Sequence, residues 1–350
     1  MLPREILEWV AGDRVTRLIA AALPDHPADL VRVVAARIGV SRQAAHRRVK
    51  ELVDRGLVAA VGSTRSRRYE PVSFALRSRE VVPINPKLDE NTVYRLLLAD
   101  CVSALPENVR SIWQYGFTEM VNNARDHSGG RMLRVSVRQS VCATQVELQD
   151  DGEGIFRKVS RTLSLDDERY AAFELTTGKF TTDPAHHSGE GIFFASRAFS
   201  EFDLFSGGAY LAHARGDGGT WLSGRSVPID GTLVGLHLEN FAPWTMNGVY
   251  DQYTAGDDDD FAFDKTVVPL SLAEFEGGQL VSRSQAKRVC ARFDRFRRIV
   301  LDFEGVPSIG QAFADELFRV FARANPAVEL LTMNASRDVL RMIARARAAG

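Results

Sequence analysis

Apolar positions in the N-terminal segment recur with helical spacing and predict two short helices around a tight turn. The first helix is indicated by an apolar stripe made of Leu30, Val31, Val34, Ala35 and Ile38. Gly39 ends that stripe, Ser41 stands at the N-cap position of a second helix, and Gly56 is the stop of that helix. Two short helices joined in this way form a helix-turn-helix, whose second helix can enter the major groove of DNA.

The second helix separates an apolar face from a basic and polar one. Its apolar stripe is made of Ala45, Val49, Leu52 and Val53. The residues that it offers to DNA are Arg42, Gln43, His46, Arg47 and Lys50. Beyond it, a short apolar run, the turn GSTRSRR and a return through Tyr69 predict a two-stranded wing that carries Arg65, Arg67 and Arg68.

This arrangement resembles the winged helix-turn-helix domain of bacterial transcription regulators over about residues 12–72. The resemblance implies binding to double-stranded DNA, with arginines on phosphates and with Gln43, Arg47 and Lys50 at base edges. Winged domains usually bind paired half-sites, so a homodimer would suit this interpretation. The alternative is that the domain serves as a protein-interaction or dimerisation module.

The distribution of charge favours DNA over a generally adhesive surface. Residues 1–80 hold 15 Lys+Arg and 9 Asp+Glu, a net charge of +6. The remaining 270 residues hold 29 and 36, a net charge of −7, so the chain as a whole carries only −1. A basic module on an acidic body indicates a local polyanion site.

The central segment aligns three polar side chains on one helix face. Residues 92–105 and 109–127 are predicted helices, and Glu119, Asn123 and His127 recur in the second at intervals of four residues. A carboxylate, an amide oxygen and an imidazole placed in this way suit a nucleotide bound with Mg²⁺.

Strands and glycine-rich turns follow these helices. RMLRVSVRQ and CATQVELQ alternate as paired strands, and the second runs into DDGEGIF, where glycines let the backbone turn sharply beside a ligand. In SGEGIFF, Gly189 and Gly191 precede an apolar helical run, whose first amides can bind phosphate. The segment GTLVGLHLE, residues 231–239, is another alternating strand.

Taken in order, EMVNNARDH, DDGEG, SGEGI and GTLVGLHL resemble the N box and the successive glycine boxes of the GHKL ATPase superfamily, over about residues 85–240. That superfamily includes gyrase, the ninety-kilodalton heat-shock chaperones, histidine kinases and MutL. The resemblance implies an α/β sandwich that holds ATP and Mg²⁺ beneath a lid within residues 156–188. Under it, Asn123 would hold Mg²⁺ and Glu119 would activate the attacking water.

The remaining boxes would surround the nucleotide. The resemblance assigns Asp150 to the adenine amino group, Gly152 and Gly154 to the turn below the base, and Thr232 to the adenine pocket. Gly189 and Gly191 would offer amides to the phosphates. Lys179, in TTGKFTT, could reach a phosphate, although the superfamily fixes no lysine there and a solvated side chain is the alternative.

The branch of the superfamily stays open at this stage. Asp126 stands at the position that gyrase and the chaperones use, whereas His127 stands at one typical of kinases. None of the seven histidines is followed by Asp or Glu, which disfavours an autophosphorylating sensor kinase.

The C-terminal segment alternates strands and helices. TVVPLSL, RRIVLDFEGV and AVELLTMNA are predicted strands, separated by helices and followed by a last helix to Ala349, which indicates a small α/β domain. SRSQAKR and LDFEGVPSIGQAFADE resemble STAS-like modules over about residues 265–345. The position of the phosphoacceptor serine of anti-sigma-factor antagonists falls on Gln311 or Ala312, which have no hydroxyl, so we expect a module that binds an unknown protein partner. Its notable polar residues, each equally interpretable as a helix cap or a surface ion pair, are Arg283, Gln285, Gln311, Asp315 and Glu316.

The sequence therefore predicts a multidomain α/β (α+β) protein. Residues 1–78 would be the winged helix-turn-helix, 79–258 the GHKL-type domain and 259–350 the STAS-like domain. Three widely spread cysteines and the lack of a long apolar run favour a cytoplasmic protein that does not cross a membrane. The predicted function is an ATP-binding, Mg²⁺-dependent and ATP-hydrolysing DNA-binding regulator. The alternatives are a protein serine/threonine kinase of the anti-sigma-factor type and an ATP-dependent defence protein that senses DNA.

Overall fold

The N-terminal region forms the helix-turn-helix and wing that its pattern predicts. A computed structural model describes residues 4–63, 66–179, 189–216, 219–254, 263–273 and 279–348. The N-terminal elements are α1 (Arg4–Gly12), α2 (Arg14–Ala22), α3 (Leu30–Ile38), α4 (Arg42–Asp54), β1 (Val58–Val61) and β2 (Arg68–Pro71). Gly39 has a φ of 70° at the end of α3, a left-handed conformation that glycine adopts readily and that allows the tight turn into α4. Strands β1 and β2 pair antiparallel.

The wing continues directly into the central sheet. Strand β3 (Phe74–Pro83) begins after only Val72 and Ser73, and it pairs antiparallel with β4 (Met132–Gln139). The predicted boundary between residues 78 and 79 therefore falls inside a strand, and Pro83 ends that strand opposite Met132. A proline at the end of an edge strand removes no hydrogen bond from the sheet interior.

A five-stranded sheet forms the central domain, in the order β3-β4-β5-β7-β6. The other elements that belong to this part of the chain are α5 (Glu90–Leu97), α6 (Ala99–Val102), α7 (Glu107–His127), β5 (Ala143–Asp150), β6 (Glu201–Ala214) and β7 (Gly219–Glu239). Alternate side chains on the inner strands are buried, such as Val135 on β4 and Val146 on β5. The sequence pattern indicated only the end of the β6–β7 hairpin.

Helix α7 contributes two large aromatic side chains to the central core. Trp113 and Phe117 on this helix are fully buried, and the Trp113 ring meets that of Phe199 edge to face at a centroid distance of 4.9 Å. Gly116 lies against the same ring, because a Cβ added there would come within 2.2 Å of a Phe199 carbon. The helix that carries Glu119 and Asn123 is thus held firmly by its apolar face.

The C-terminal region is a small α/β domain, as predicted. Its elements are β8 (Lys265–Pro269), α12 (Arg283–Val289), β9 (Arg298–Asp302), α13 (Gln311–Asp315), α14 (Ala322–Ala324), β10 (Glu329–Met333) and α15 (Arg337–Ala348). The sheet is parallel in the order β10-β9-β8. A π-helical turn, Glu316–Phe321, joins α13 to α14.

The chain divides into two compact units that do not follow the three predicted segments. The first comprises Met1–Ile155, Ala195–Phe205 and Asp230–Met246, and the second comprises Phe156–Phe194, Ser206–Ile229 and Asn247–Gly350. The elements that complete the chain are α8 (Ile155–Leu163), α9 (Glu168–Thr177), α10 (Gly191–Ala198) and α11 (Met246–Asp251). The segment that contains the predicted lid is therefore grouped with the C-terminal domain.

The fold class is confirmed at the level of an α+β protein with a helix-turn-helix region, a central sheet domain and a small C-terminal α/β domain. None of the helices in the described ranges is both long enough and apolar enough to cross a membrane.

Candidate functional sites

Helix α4 presents the polar face that the sequence predicts. Ser41 caps the helix by accepting a hydrogen bond from the Ala44 amide at 3.2 Å, and Ala45, Val49 and Leu52 are buried. Because burial fixes the rotation of the helix, its other face is left to solvent. The predicted DNA contacts that are exposed on this helix are Arg42, Gln43, His46, Arg47 and Lys50.

A concave surface lies between α3, the start of α4 and β2, and the cavity that it encloses has a volume of about 810 Å³. It is lined by Ala28, Asp29, Val31, Arg32, Ser41, Arg42, Gln43, His46, Arg47, Arg67 and Tyr69. Lys50 and Arg68 are exposed outside this lining, and Arg65 lies outside the described residues. The sequence analysis did not include Arg32 among the DNA contacts. Its position on α3 opposite the apolar stripe could have indicated that its side chain is exposed.

Ion pairs divide the basic residues of this region into two groups. Arg48 pairs with Asp13 and, at 3.2 Å, with Glu51, and the Lys50 ammonium lies 2.7 Å from the Asp54 carboxylate. Arg32 on α3 pairs with Asp29, although its side chain stays largely exposed. Among the described residues, no acidic side chain pairs with Arg42, Arg47, Arg67 or Arg68. The unpaired arginines keep their full charge for a polyanion, whereas the charge of Lys50 is partly neutralised.

On α7, the predicted metal and catalytic residues are half-buried. Glu119, Asn123 and His127 are all of intermediate exposure, and the Asn123 Nδ2 atom makes a weak contact of 3.9 Å with the Met120 sulfur. Asp126 is exposed, and both of its carboxylate oxygens accept hydrogen bonds from Arg125, at 2.7 and 2.8 Å. The assignment of Asp126 to the nucleotide site stays a prediction.

The end of β5 meets the middle of β7 at Asp150. This carboxylate is buried, and its Oδ1 atom accepts hydrogen bonds from the amides of Gly152 at 2.8 Å and Thr232 at 3.3 Å. Burial raises the pKa of Asp150, and these hydrogen bonds oppose the rise. The Thr232 hydroxyl in turn accepts a hydrogen bond from the Ile155 amide at 3.1 Å. We call Asp150, Gly152, Ile155, Gly231 and Thr232 the Asp150 cluster.

Two glycines of this cluster permit close backbone contacts. A Cβ at Gly231, where φ is +71°, would come within 2.1 Å of the Asp150 carbonyl oxygen. A Cβ at Gly152 would come equally close, 2.1 Å, to the carbonyl oxygen of Ser128. Gly154 has a φ of 89°, which also suits glycine. The structure thus brings together Asp150, Gly152, Gly154 and Thr232 from two distant parts of the sequence.

Asp151 and Ser128 also shape this turn, and sequence reasoning missed both. The Asp151 Oδ1 atom accepts hydrogen bonds from the amides of Arg131 at 2.7 Å and Met132 at 2.9 Å. These amides lower the pKa of Asp151. The Ser128 carbonyl accepts a hydrogen bond from the Glu153 amide at 3.0 Å. The adjacent aspartates Asp150 and Asp151 were the sequence signal for a polar turn. The contact of this turn with residues 128–132, however, depends on the pairing of β4 with β5.

The other predicted phosphate contacts belong to the second unit. Gly189 has a φ of 74°, and Gly191 begins α10, in which the Phe194 amide donates to the Glu190 carbonyl at 2.9 Å. Their assignment to phosphates stays a prediction.

Lys179 contacts the C-terminal domain within the second unit. Its ammonium donates a hydrogen bond of 2.9 Å to the Arg295 carbonyl and lies 4.8 Å from the ring centroid of Phe296. Partial burial lowers the pKa of Lys179. In this structure the Lys179 side chain therefore contacts Arg295 and Phe296, and its assignment to a phosphate stays a prediction.

Four of the five polar residues singled out in the C-terminal domain have structural partners. Gln285 completes a capping box with Ser282 at the start of α12. Asp315 accepts hydrogen bonds from Arg319 and lies 3.7 Å from Arg283. Glu316 lies 4.0 Å from the Lys287 ammonium. A cap and ion pairs thus account for these four residues, while Gln311 is the exposed first residue of α13.

Two segments of the chain match family models. Residues 15–68 match the MarR family, and residues 285–340 match a STAS-like domain of unknown function, DUF4325. Neither match reaches the segment that carries the glycine boxes. No curated protein and no solved structure matches the chain. The first match supports a DNA-binding regulatory role, and the second agrees with the STAS-like prediction.

Proposed function

We propose that this protein is a DNA-binding regulator that also binds ATP and Mg²⁺ through its central sheet domain. The observation that carries the nucleotide part is the buried Asp150 carboxylate, fixed by the amides of Gly152 and Thr232. A buried carboxylate needs hydrogen-bond donors, and an adenine amino group is such a donor. Guanine carries a carbonyl oxygen at the corresponding position, so the same carboxylate would disfavour it.

Residues on α7 are suited to the metal and to water. The amide oxygen of Asn123 is a ligand type that Mg²⁺ accepts, and Glu119, one helical turn earlier, is the general base of the proposal. When bound, Mg²⁺ would supply charge neutralisation for phosphate oxygens. Asn123 would hold the ion, and Glu119 would take a proton from water.

The DNA part of the proposal is carried by the concave surface together with the MarR match. Arg32 and Arg67 would contact phosphates at its two sides. Gln43 and Arg47, exposed on α4, would meet base edges, where Gln suits adenine and Arg suits guanine. A homodimer on paired half-sites belongs to the same proposal.

The connection between wing and sheet supports control of DNA binding by the nucleotide. Only two residues separate β2 of the wing from β3, the edge strand of the sheet. Strands β5 and β7 of that sheet carry Asp150 and Thr232. A nucleotide that favours one arrangement of these strands would thereby bias the wing, which is what a ligand-controlled switch requires.

The nucleotide part is tested by equilibrium binding of Mg-ATP and Mg-GTP to the full chain. We expect the wild type to prefer ATP, and Asp150→Asn to lower ATP affinity by about tenfold or more, because a hydrogen bond to a charged group is lost. Glu147→Gln is the matched control, since Glu147 is exposed on the same strand. Equal affinity of Asp150→Asn and the control would remove this site.

The fate of the terminal phosphate distinguishes the ATPase from the kinase alternative. With γ-labelled ATP, free phosphate that disappears in Glu119→Ala would support hydrolysis. Label found on a protein would support transfer instead. Binding without either product would leave nucleotide sensing as the function.

A further inference from the structure

Helix α9 is joined to the C-terminal domain by a buried ion pair. The Glu174 carboxylate lies 3.4 Å from the Nε atom of Arg292, and the two side chains are only 10% and 12% exposed. Burial raises the pKa of Glu174 and lowers that of Arg292, while each charge opposes the shift of the other. Removing one partner of such a pair leaves the other charge buried without compensation. Loss of either side chain should therefore weaken the attachment of α9 to the C-terminal domain.

A second set of contacts holds Lys179, two residues beyond the end of α9. The Lys179 ammonium donates to the Arg295 carbonyl at 2.9 Å, and the Arg295 guanidinium donates back to the Lys179 carbonyl at 2.9 Å. The same ammonium lies over the rings of Phe296 and Phe263, at 4.8 and 5.5 Å from their centroids. These reciprocal contacts fix both the backbone and the side chain of Lys179.

The backbone between the two sets is in an uncommon conformation. Gly178 has a φ of 83°, and a Cβ there would come within 2.6 Å of the Phe263 ring. Lys179 has a φ of 55°, which is unfavourable for a residue with a side chain. Such a conformation persists only where the surrounding contacts enforce it.

The joint is also incompletely filled. A cavity of about 170 Å³ lies beside the ion pair, and it is lined partly by Tyr170, Phe173, Arg288 and Arg292. The Arg288 guanidinium lies 4.6 Å from the Tyr170 ring centroid. Polar contacts, a strained turn and a cavity distinguish this joint from the close-packed interior of a domain, and they are typical of an interface that can open.

We propose that residues 288–296 of the C-terminal domain act as a latch that holds residues 170–179 and regulates the nucleotide site of the protein. The regulatory consequence rests on the proposed function, whereas the latch itself does not. Helix α8 begins at Ile155, the residue whose amide donates to Thr232 in the Asp150 cluster. Release of α9 would therefore loosen the chain that runs directly from that cluster.

The latch is tested by hydrogen exchange of the full chain without nucleotide. Glu174→Gln and Lys179→Met should each raise the exchange rate of residues 168–179 by about tenfold or more, because local opening is no longer opposed. Exchange in β9 should stay as in the wild type, which separates release from unfolding of the domain. Glu329→Gln is the matched control, since its ion pair with Arg298 at 2.6 Å is at the surface of the same domain.

Exchanging the two charges of the Glu174–Arg292 pair tests whether the pair itself slows hydrogen exchange. The double variant Glu174→Arg with Arg292→Glu should restore slow exchange at least in part, because the pair is re-formed with opposite polarity. If residues 168–179 exchange in Glu174→Gln and Lys179→Met at the wild-type rate, the latch is wrong.

The regulatory consequence has a separate readout. The dissociation rate of Mg-ATP from Glu174→Gln should exceed that from the wild type by about fivefold, on the scale typical of coupled sites. An unchanged rate alongside faster exchange would overturn the regulation and keep the latch. Absence of ATP binding to the wild type would instead overturn the proposed function, and the exchange data would still decide the latch.

Discussion

The concave surface of the N-terminal region and the Asp150 cluster both depend on charged groups, but these groups lie in different environments. Arg32 on the concave surface has a side chain that is 68% exposed, whereas Asp150 is 6% exposed. An exposed arginine stays hydrated and acts on a polyanion over a distance that salt limits. A buried carboxylate must be satisfied by fixed donors at short range.

Because of this difference, substitutions on the concave surface should affect binding without affecting stability, whereas substitutions in the Asp150 cluster should affect both. Substitutions of the exposed arginines on the concave surface should remove proposed contacts with DNA and leave the packing of the fold unchanged. Substitutions in the Asp150 cluster alter backbone hydrogen bonds that connect β5 with β7. We therefore expect two distinct patterns of mutational effect, and the following experiments could contradict them.

The largest effect is expected at Gly231. Gly231→Ala would place a Cβ 2.1 Å from a backbone oxygen, so we expect a loss of about 3 kcal/mol or more in the free energy of unfolding. Gly129→Ala is the control, because Gly129 has a similar φ of +66° with nothing within 4 Å. Strain alone should cost the control about 1 kcal/mol. Denaturant unfolding of both variants measures the difference, and equal losses would show that the close contact is not limiting.

Two neighbouring arginines of α4 should show opposite behaviour. Arg47→Ala should weaken DNA binding by about tenfold, through a lost base or phosphate contact, with stability unchanged. Arg48→Ala breaks the contacts with Asp13 and Glu51, so it should lower stability by about 1 kcal/mol and affect DNA less. Binding titrations and denaturant unfolding of both variants test this. Equal loss of DNA affinity would mean that the face of α4 is assigned wrongly.

The pH dependence of stability should differ between wild type and Asp150→Asn. Because burial raises the folded-state pKa of Asp150 above its ordinary 3.8, protonation favours the folded state. That contribution is fully present below pH 3.8 and is lost as the pH rises through the raised pKa. The wild type should thus lose stability relative to Asp150→Asn as the pH rises above 3.8. A difference that does not vary with pH would contradict a desolvated carboxyl.

The smallest effect is expected at Lys50. Its ion pair with Asp54 is exposed, so Lys50→Ala should change stability by at most about 0.5 kcal/mol. DNA affinity should fall less than in Arg47→Ala, because part of the charge of Lys50 is already neutralised. A loss as large as that of Arg47→Ala would place Lys50 in direct contact with DNA.

Local sequence determined the features whose causes are local. The cap at Ser41, the left-handed Gly39 and the apolar stripes of α3 and α4 were sufficient to predict the helix-turn-helix, since each acts within a turn of chain. The alternating strands of the C-terminal domain were equally apparent. The glycines around Asp150 indicated a turn, because few other residues accept its backbone angles.

Only the tertiary structure decided how distant segments meet. The segment of β3 contains the predicted domain boundary, yet it forms an edge strand because β4 offers it hydrogen bonds. Lys179 resembles a phosphate ligand in sequence, yet Arg295 and Phe296, more than a hundred residues away, engage it. Helical spacing and capping report on neighbours in the chain, whereas the partner of a buried charge is set by the packing of the whole unit, and no local pattern encodes it.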